Sequence, residues 1–344
     1  MSTAAPPQGA RSAGEAEGTP VSAAEPPQAA PVATAPTILV LGSLNMDLLL
    51  RVPRAPQAGE TLTGHSLALL PGGKGGNQAV SCARQGARVR LLARIGRDAD
   101  GEALRAALAQ DGIALDALQV DAHAATGRAL VMLEDSAQNR IVVLPGANAA
   151  LQLDAALLAQ QLQGVQFLVT QLETPLPGVL QAVAAAHQAG CPVLLNPSPM
   201  QPLPDSLWPQ LDTLVVNEVE AAAYAGCAVT TPEQAVAAGQ VLRARGVARV
   251  VVTLGAQGAV TLEQGGCRLQ PAPHVQAVDT TAAGDTFAGA LAVALARGQD
   301  LAQATARGVR AAALCVTRVG AQLSIPTAAE VDALAPPPAA RALP

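Results

Sequence analysis

The residues most able to do chemistry fall in short, glycine-flanked stretches. One is Asp279-Thr-Thr-Ala-Ala-Gly-Asp285-Thr-Phe-Ala-Gly289, which follows a segment broken by Pro271 and Pro273. It opens an apolar helix predicted from about Thr286 to Arg297 and stopped by Gly298. The small residues Ala282, Ala283 and Gly284 let backbone N–H groups approach a ligand closely. A helix N-terminus also favours an anion, through unpaired donors and a partial positive charge. An ionised Asp285 beside that anion could take the proton of a hydroxyl attacking a phosphoryl group. Asp is equally a common helix cap, and on this stretch alone the two readings weigh the same.

A second stretch is Pro71-Gly-Gly-Lys-Gly-Gly-Asn77. Lys74 is the only lysine among 21 basic residues, the rest being Arg, and its place between paired glycines favours a functional role. Gly75 after the lysine rules out a Walker A loop, and no Gly-x-Gly-x-x-Gly follows the first apolar run. The glycines instead bring backbone close to a small polyol, with Lys74 and Asn77 as donors. Asn45 and Asp47 could hold neighbouring hydroxyls, although an Asn-x-Asp turn uses the same residues. In Asn217-Glu-Val-Glu220 the acidic residues suit the first turn of any helix. They could also surround a hydrated Mg²⁺ on nucleotide phosphates. Thr253-Leu-Gly-Ala-Gln-Gly258 reads as a strand entering a Gly-rich turn, or as a plain hairpin.

These residues need elements to position them. Short apolar runs start at Thr37-Ile-Leu-Val-Leu-Gly42 and recur over residues 89–95, 165–170, 192–196, 213–217 and 249–254. Helical patterns over 77–85, 101–110, 177–188, 218–225 and 232–245 alternate with them, most stopped by glycine. The alternation predicts an α/β fold, a mostly parallel central sheet with helices on both faces. Ligands of such sheets bind beyond the carboxyl ends of the strands, where Asn45, Asp47, Glu173, Asn196, Asn217, Gly255 and Gly258 gather. Residues 48–70 and 126–145 break the pattern with strand-like segments. They predict a small extra β-sheet, either a lid or a dimerisation surface.

Residues 1–36 are Ala/Pro-rich and cannot bury enough surface to order, so a disordered tail is expected before a domain over 37–333, with a Pro/Ala-rich tail over 334–344. No run is long and apolar enough to span a bilayer. The net charge of −5, and an aromatic set limited to Phe167, Trp208, Tyr224 and Phe287, argue against a nucleic-acid partner. Five scattered cysteines read as reduced thiols of a cytoplasmic protein.

Taken together, eight motifs stand in one order: Gly42-Ser-Leu-Asn-Met-Asp47, Gly72-Gly-Lys-Gly-Gly-Asn-Gln78, Gln171-Leu-Glu-Thr-Pro175, Asn196-Pro-Ser-Pro199, Asn217-x-x-Glu220, Thr253-Leu-Gly-x-x-Gly258, Ala282-Ala-Gly-Asp-Thr-Phe287 and Thr317-Arg-x-Gly-Ala-Gln322. In this the chain resembles the ribokinases of the PfkB carbohydrate kinase family, over residues 37–333. The resemblance implies a ribokinase-like fold with a lid sheet that also clasps a homodimer, and ATP-dependent phosphorylation of D-ribose at its 5-hydroxyl. It implies Asp285 as base and an anion hole at Ala282, Ala283 and Gly284. The sugar would be held by Asn45, Asp47, Gly73, Lys74, Asn77 and Glu173. Asn217, Thr253, Gly255, Gly258 and Gly284 would line the nucleotide site, with Glu220 near Mg²⁺. A monovalent cation, K⁺, would sit at Asp279, Thr281, Cys315, Arg318, Gly320 and Ser324, several of them through backbone carbonyls. Gly76, Cys315 and the N-terminal tail depart from the family pattern. Another PfkB sugar or nucleoside kinase, and a non-catalytic sugar- or nucleotide-binding regulator, remain as alternatives.

Overall fold

The computed structural model describes residues 35–136 and 138–343, so the predicted N-terminal tail lies, up to Thr34, outside the described residues. The strands are β1 (Thr37–Leu41), β2 (Asn45–Val52), β3 (Ser66–Gly72), β4 (Arg88–Gly96), β5 (Leu118–Asp121), β6 (Gly127–Glu134) and β7 (Asn139–Leu144). They continue with β8 (Phe167–Thr170), β9 (Val193–Leu195), β10 (Thr213–Asn217), β11 (Arg249–Thr253), β12 (Ala259–Glu263), β13 (Gly266–Gln270) and β14 (Arg341–Leu343). The helices are α1 (Lys74–Arg84), α2 (Ala99–Gln110), α3 (Ala155–Gln161), α4 (Leu176–Gln188) and α5 (Glu218–Ala225). After them come α6 (Pro232–Ala244), α7 (Ala283–Ala296), α8 (Leu301–Cys315) and α9 (Ala328–Ala333).

Among the described residues the main sheet has ten strands in the order β14-β13-β12-β11-β10-β9-β8-β1-β4-β5. From β11 to β5 neighbours run parallel; β12, β13 and β14 add antiparallel to that edge. The apolar runs are continuous because both sheet faces are covered. Along β1, Leu39 and Leu41 enter the core layer shared with α4 and α6, while Ile38 and Val40 enter the layer shared with α1 and α7. That is the two-residue alternation of a pleated strand. From β1 the chain crosses to β4 on one side and later to β8 on the other, so the strand order reverses around β1. The crevice at such a reversal is where open α/β sheets bind ligands.

The second sheet, ordered β3-β2-β6-β7, begins three residues beyond β1 and so stands at the carboxyl end of the main one. This is the small sheet expected from residues 48–70 and 126–145. Its first strand starts earlier than expected: Asn45 and Asp47 lie within β2, paired to Gly72 and Leu70, not in an Asn-x-Asp turn. The segment expected as a C-terminal tail contains β14, which pairs with β13 and buries Leu343.

Candidate active site

Asp285 sits in the first turn of α7, which starts at Ala283, three residues before the predicted start. The N-cap is Ala282, whose side chain cannot cap and whose φ of 62° is, among the described residues, the one left-handed value outside glycine. That conformation costs roughly 1–2 kcal/mol for an L-residue and concentrates at functional turns. It aims the helix N-terminus at the crevice. Ala283 N–H turns back to Thr280 O at 3.2 Å, while among the described residues the N–H groups of Ala282, Gly284 and Asp285 meet no acceptor. Two of the three expected anion-hole donors are therefore free.

The Asp285 side chain does not cap its helix. Asn77 Nδ2 donates to its Oδ2 at 2.9 Å, and Gln78 Nε2 to its Oδ1 at 2.9 Å. Gln171 Nε2 donates in turn to Gln78 Oε1 at 2.7 Å. A buried chain of amides from the end of β8 thus fixes the carboxylate, and the side chain makes no cap hydrogen bond. The sequence offers Asn77 as a donor to a polyol; in the structure one bond of its amide goes to Asp285. Gln78 and Gln171 went unassigned, because contacts between residues 93 positions apart leave no local pattern. A glutamine in the first turns of a helix and another just past a strand end were the available signal.

Beside Asp285 lies a polar crevice. Lys74 opens α1 directly after Gly73, whose φ of 82° and approach to Asn45 N leave no room for a Cβ. Glu173, just past β8, accepts from Lys74 N at 3.0 Å and Ser43 Oγ at 2.5 Å, tying the ends of β1 and β8 across the reversal point. Burial opposes the Lys74 ammonium, but Asp285, Glu173 and Glu220 outweigh it and raise its pKa. Asn45 is held by Asn148, whose Nδ2 donates to Asn45 Oδ1 at 2.8 Å; Asn148 is a supporting residue that stands in none of the eight motifs.

Asp47 reaches into this crevice from β2. Its Oδ1 is buried without a hydrogen-bond partner. Burial, then the charges of Glu173 and Asp285, push its pKa up to about 7. An orphan carboxylate oxygen beside two more carboxylates suits a ligand rich in hydroxyl donors.

On the other side of Asp285 opens an apolar cavity of about 350 Å³ between the end of β11, residues 272–277, and α8. Thr253, Gly255, Gly258 and Gly284 line it while Asn217 does not, and Pro273, Val309 and Ala313 supply an apolar wall that no motif announced. Residues 254–258 join β11 to the antiparallel β12, so the Gly-rich turn is also a hairpin. Gly258 has φ 101°, and a Cβ there would lie 2.0 Å from Gln270 O. Asn217 and Glu220 form a capping box at α5: Asn217 Oδ1 accepts from Glu220 N at 2.9 Å, and Glu220 Oε2 from Asn217 N at 3.1 Å. The cap consumes one oxygen of each and leaves Glu220 Oε1 uncommitted.

The residues expected around a monovalent cation converge behind the helix N-terminus. Asp279 Oδ1 accepts from Thr281 N at 2.9 Å and Thr281 Oγ1 at 2.7 Å, and its Oδ2 from Gly320 N at 2.9 Å. Cys315 Sγ lies 3.0 Å from Ser324 Oγ and donates weakly to Thr281 O at 3.6 Å, so its thiol is engaged. The Arg318 side chain turns away to Glu330, leaving only its backbone for such a role.

A Cβ built on Gly284 meets nothing within 4 Å. Gly284→Ala should therefore hold or slightly raise the melting temperature, since Ala is the better helix former by about 1 kcal/mol. The methyl would project into the space in front of the free N–H groups, and turnover should fall at least tenfold on the scale of losing one such donor. Unchanged turnover would remove Gly284 from the phosphoryl site.

Comparison with known proteins agrees with this geometry. Residues 35–328 match the pfkB family carbohydrate kinases. A ribokinase of Haemophilus influenzae is 41% identical over 295 residues, covering 86% of this chain and 96% of the relative. One of Bacillus subtilis is 38% identical, covering 86% and 98%. Among solved structures, Arabidopsis thaliana ribokinase complexed with ribose and ATP superposes with a TM-score of 0.81 at 34% identity, covering 87% of this chain and 98% of that one. With its motifs, sheet order and site all in accord, the chain belongs to the pfkB family of carbohydrate kinases.

Proposed function

We propose that this protein transfers the terminal phosphoryl group of ATP to the 5-hydroxyl of D-ribose, giving D-ribose 5-phosphate and ADP. The observation that carries the reading is the setting of Asp285. It is a buried carboxylate fixed by two amides at a helix N-terminus with free N–H groups, between a carboxylate-lined crevice and an apolar cavity. The crevice suits a polyol, the cavity suits a flat base, and the N–H groups suit the phosphates between them. The relatives named above support ribose as the sugar, and the Arabidopsis complex supports the pairing of ribose with ATP.

In this reading Asn45, Asp47, Gly73, Lys74 and Glu173 hold the sugar, with Asn77 acting chiefly on Asp285. Asp285 accepts the 5-hydroxyl proton as that oxygen bonds to phosphorus and the bond to the departing ADP oxygen breaks. The N–H groups of Ala282 and Gly284, with a lesser share from Ala283, take up charge on the transferring group. The Lys74 ammonium, which among the described residues has no ion-pair partner within 4.0 Å, adds positive charge nearby. Asn217, Thr253, Gly255 and Gly258 line the nucleotide site. Mg²⁺ would neutralise nucleotide phosphate charge, its waters held by Glu220 Oε1. K⁺ fits the all-oxygen set of the Asp279 carboxylate, backbone carbonyls of Thr281, Cys315, Arg318 and Gly320, and the Ser324 hydroxyl, and would stiffen the loop ahead of α7.

The lid sheet supports a homodimer. Leu67, Leu69, Val142 and Leu144 share the face turned away from Asp47, each 58–60% exposed. Among the described residues no helix is long and apolar enough to cross a membrane, and all five cysteines are free, which supports the cytoplasmic reading.

The test is ADP release with Mg-ATP across a panel of sugars and nucleosides, with and without K⁺. Fast turnover on ribose that rises with K⁺ is the expected result. Turnover confined to another sugar or a nucleoside would move the substrate, and binding without turnover would point to a regulator.

A further inference from the structure

Residues 334–343 lie beyond the family match, which ends at residue 328, yet they are built into the fold. Leaving α9, this segment runs across to the far edge of the main sheet. At its start, Arg310 donates to the carbonyls of Leu334 and, at 3.3 Å, Asp332. Midway, Gln270 Nε2 donates to Pro338 O at 2.9 Å and to Pro271 O at 3.1 Å. At its end, β14 pairs antiparallel with β13 from Leu269 to Cys267, and Leu343 enters the core layer that holds Leu254, Val260 and Leu269.

These anchors fall on the elements that carry or lead into both walls of the apolar cavity. Arg310 is on α8, whose Val309, Ala312 and Ala313 form one wall. Gln270 ends β13, and the chain passes directly from it into Ala272, Pro273 and Val275 of the opposite wall. Without the segment, β13 would be a bare edge strand, and Gln270, which leads into residues 271–275, would keep only its bond to Pro271 O.

We infer that residues 334–343 act as a strap that fixes the spacing of the two cavity walls, and so sets the affinity for the adenine nucleotide. The inference rests on the nucleotide assignment proposed above. The strap touches neither the polar crevice nor Asp285, so its effect is confined to nucleotide binding and leaves sugar binding and the chemical step alone.

Deleting residues 334–344 should raise the KM for Mg-ATP about tenfold, with kcat at saturating ATP within about twofold and the ribose KM unchanged, the signature of lost uniform binding. Because the deletion could impair folding, a full-length Leu343→Ala protein, which keeps the chain but loosens its far anchor, is measured beside it. The same selective rise in ATP KM, several-fold in size, is expected there. Unchanged ATP KM in either folded variant, or a matching rise in both KM values, overturns the strap and leaves a mere edge cover. A third variant, Ala272→Trp, fills the cavity and should abolish use of ATP. If it leaves the ATP KM unchanged, the nucleotide assignment fails and takes the strap with it. A blocked cavity with an indifferent strap would fault the strap alone.

Discussion

Asp285→Asn should lower kcat by about 10²–10⁴-fold, the range general-base catalysis supplies, with little change in either KM. The substitution removes the proton acceptor while keeping the shape. Folding should survive it for a specific reason. Asn77 Oδ1 is buried without a partner, so the Asn77 amide can turn over and accept from the amide introduced at position 285 in place of donating to it. Gln78 keeps its bond to the remaining oxygen. Steady-state rates at saturating ATP and ribose, beside a melting curve, separate chemistry from stability. A loss below tenfold in a normally folded protein would take the base role away from Asp285.

Asp47→Asn should weaken ribose binding by about 10–100-fold, the cost of losing hydrogen bonds to a charged acceptor. Its titration gives the prediction a second face. In the folded, ligand-free protein the carboxyl has a pKa of about 7, against an ordinary value near 3.8 once unfolded. Between those values the native state holds a proton that the unfolded chain has released. Stability therefore falls as pH rises from about 4 to about 7, by on the order of 1–3 kcal/mol, and then levels. Sugar hydroxyls donate best to the ionised form, so ribose binding should release a proton and tighten as pH rises through 7. Calorimetry in two buffers of different ionisation enthalpy counts that proton. Asp47→Asn should flatten both profiles relative to the parent, and an unchanged ribose affinity would place Asp47 outside the sugar site.

The parallel core was legible because buried strands are continuous apolar runs and most of the helices between them end at or just before a glycine with a mechanical reason to be there. Thr213–Asn217 and Glu218–Ala225 appear where the pattern puts them. Strand β14 was hidden by its three residues and by the prolines before it, since its pairing with β13 is long-range and leaves no periodic trace. The site divided along the same line. Residues announced by loop chemistry, such as Lys74, Gly258 and Asp285, were legible as candidates. Those acting through side-chain contacts across the fold, such as Gln78, Gln171 and Asn148, were not, because nothing local distinguishes an amide that aims a carboxylate from one that faces solvent. Glu220 shows the limit from the other direction, being legible as a helix cap and as a metal partner, with the cap present in the structure.

The isolation of Lys74 has a consequence for chemical durability. An aldose in its open-chain form carries an aldehyde, and unprotonated amines condense with aldehydes and then rearrange irreversibly. A protein that handles such sugars throughout its life is exposed to glycation in proportion to its free amines. This chain has a single lysine, and three surrounding carboxylates hold that amine in its protonated, non-nucleophilic form. The feature that keeps a positive charge in the crevice also denies the sugar a side-chain nucleophile.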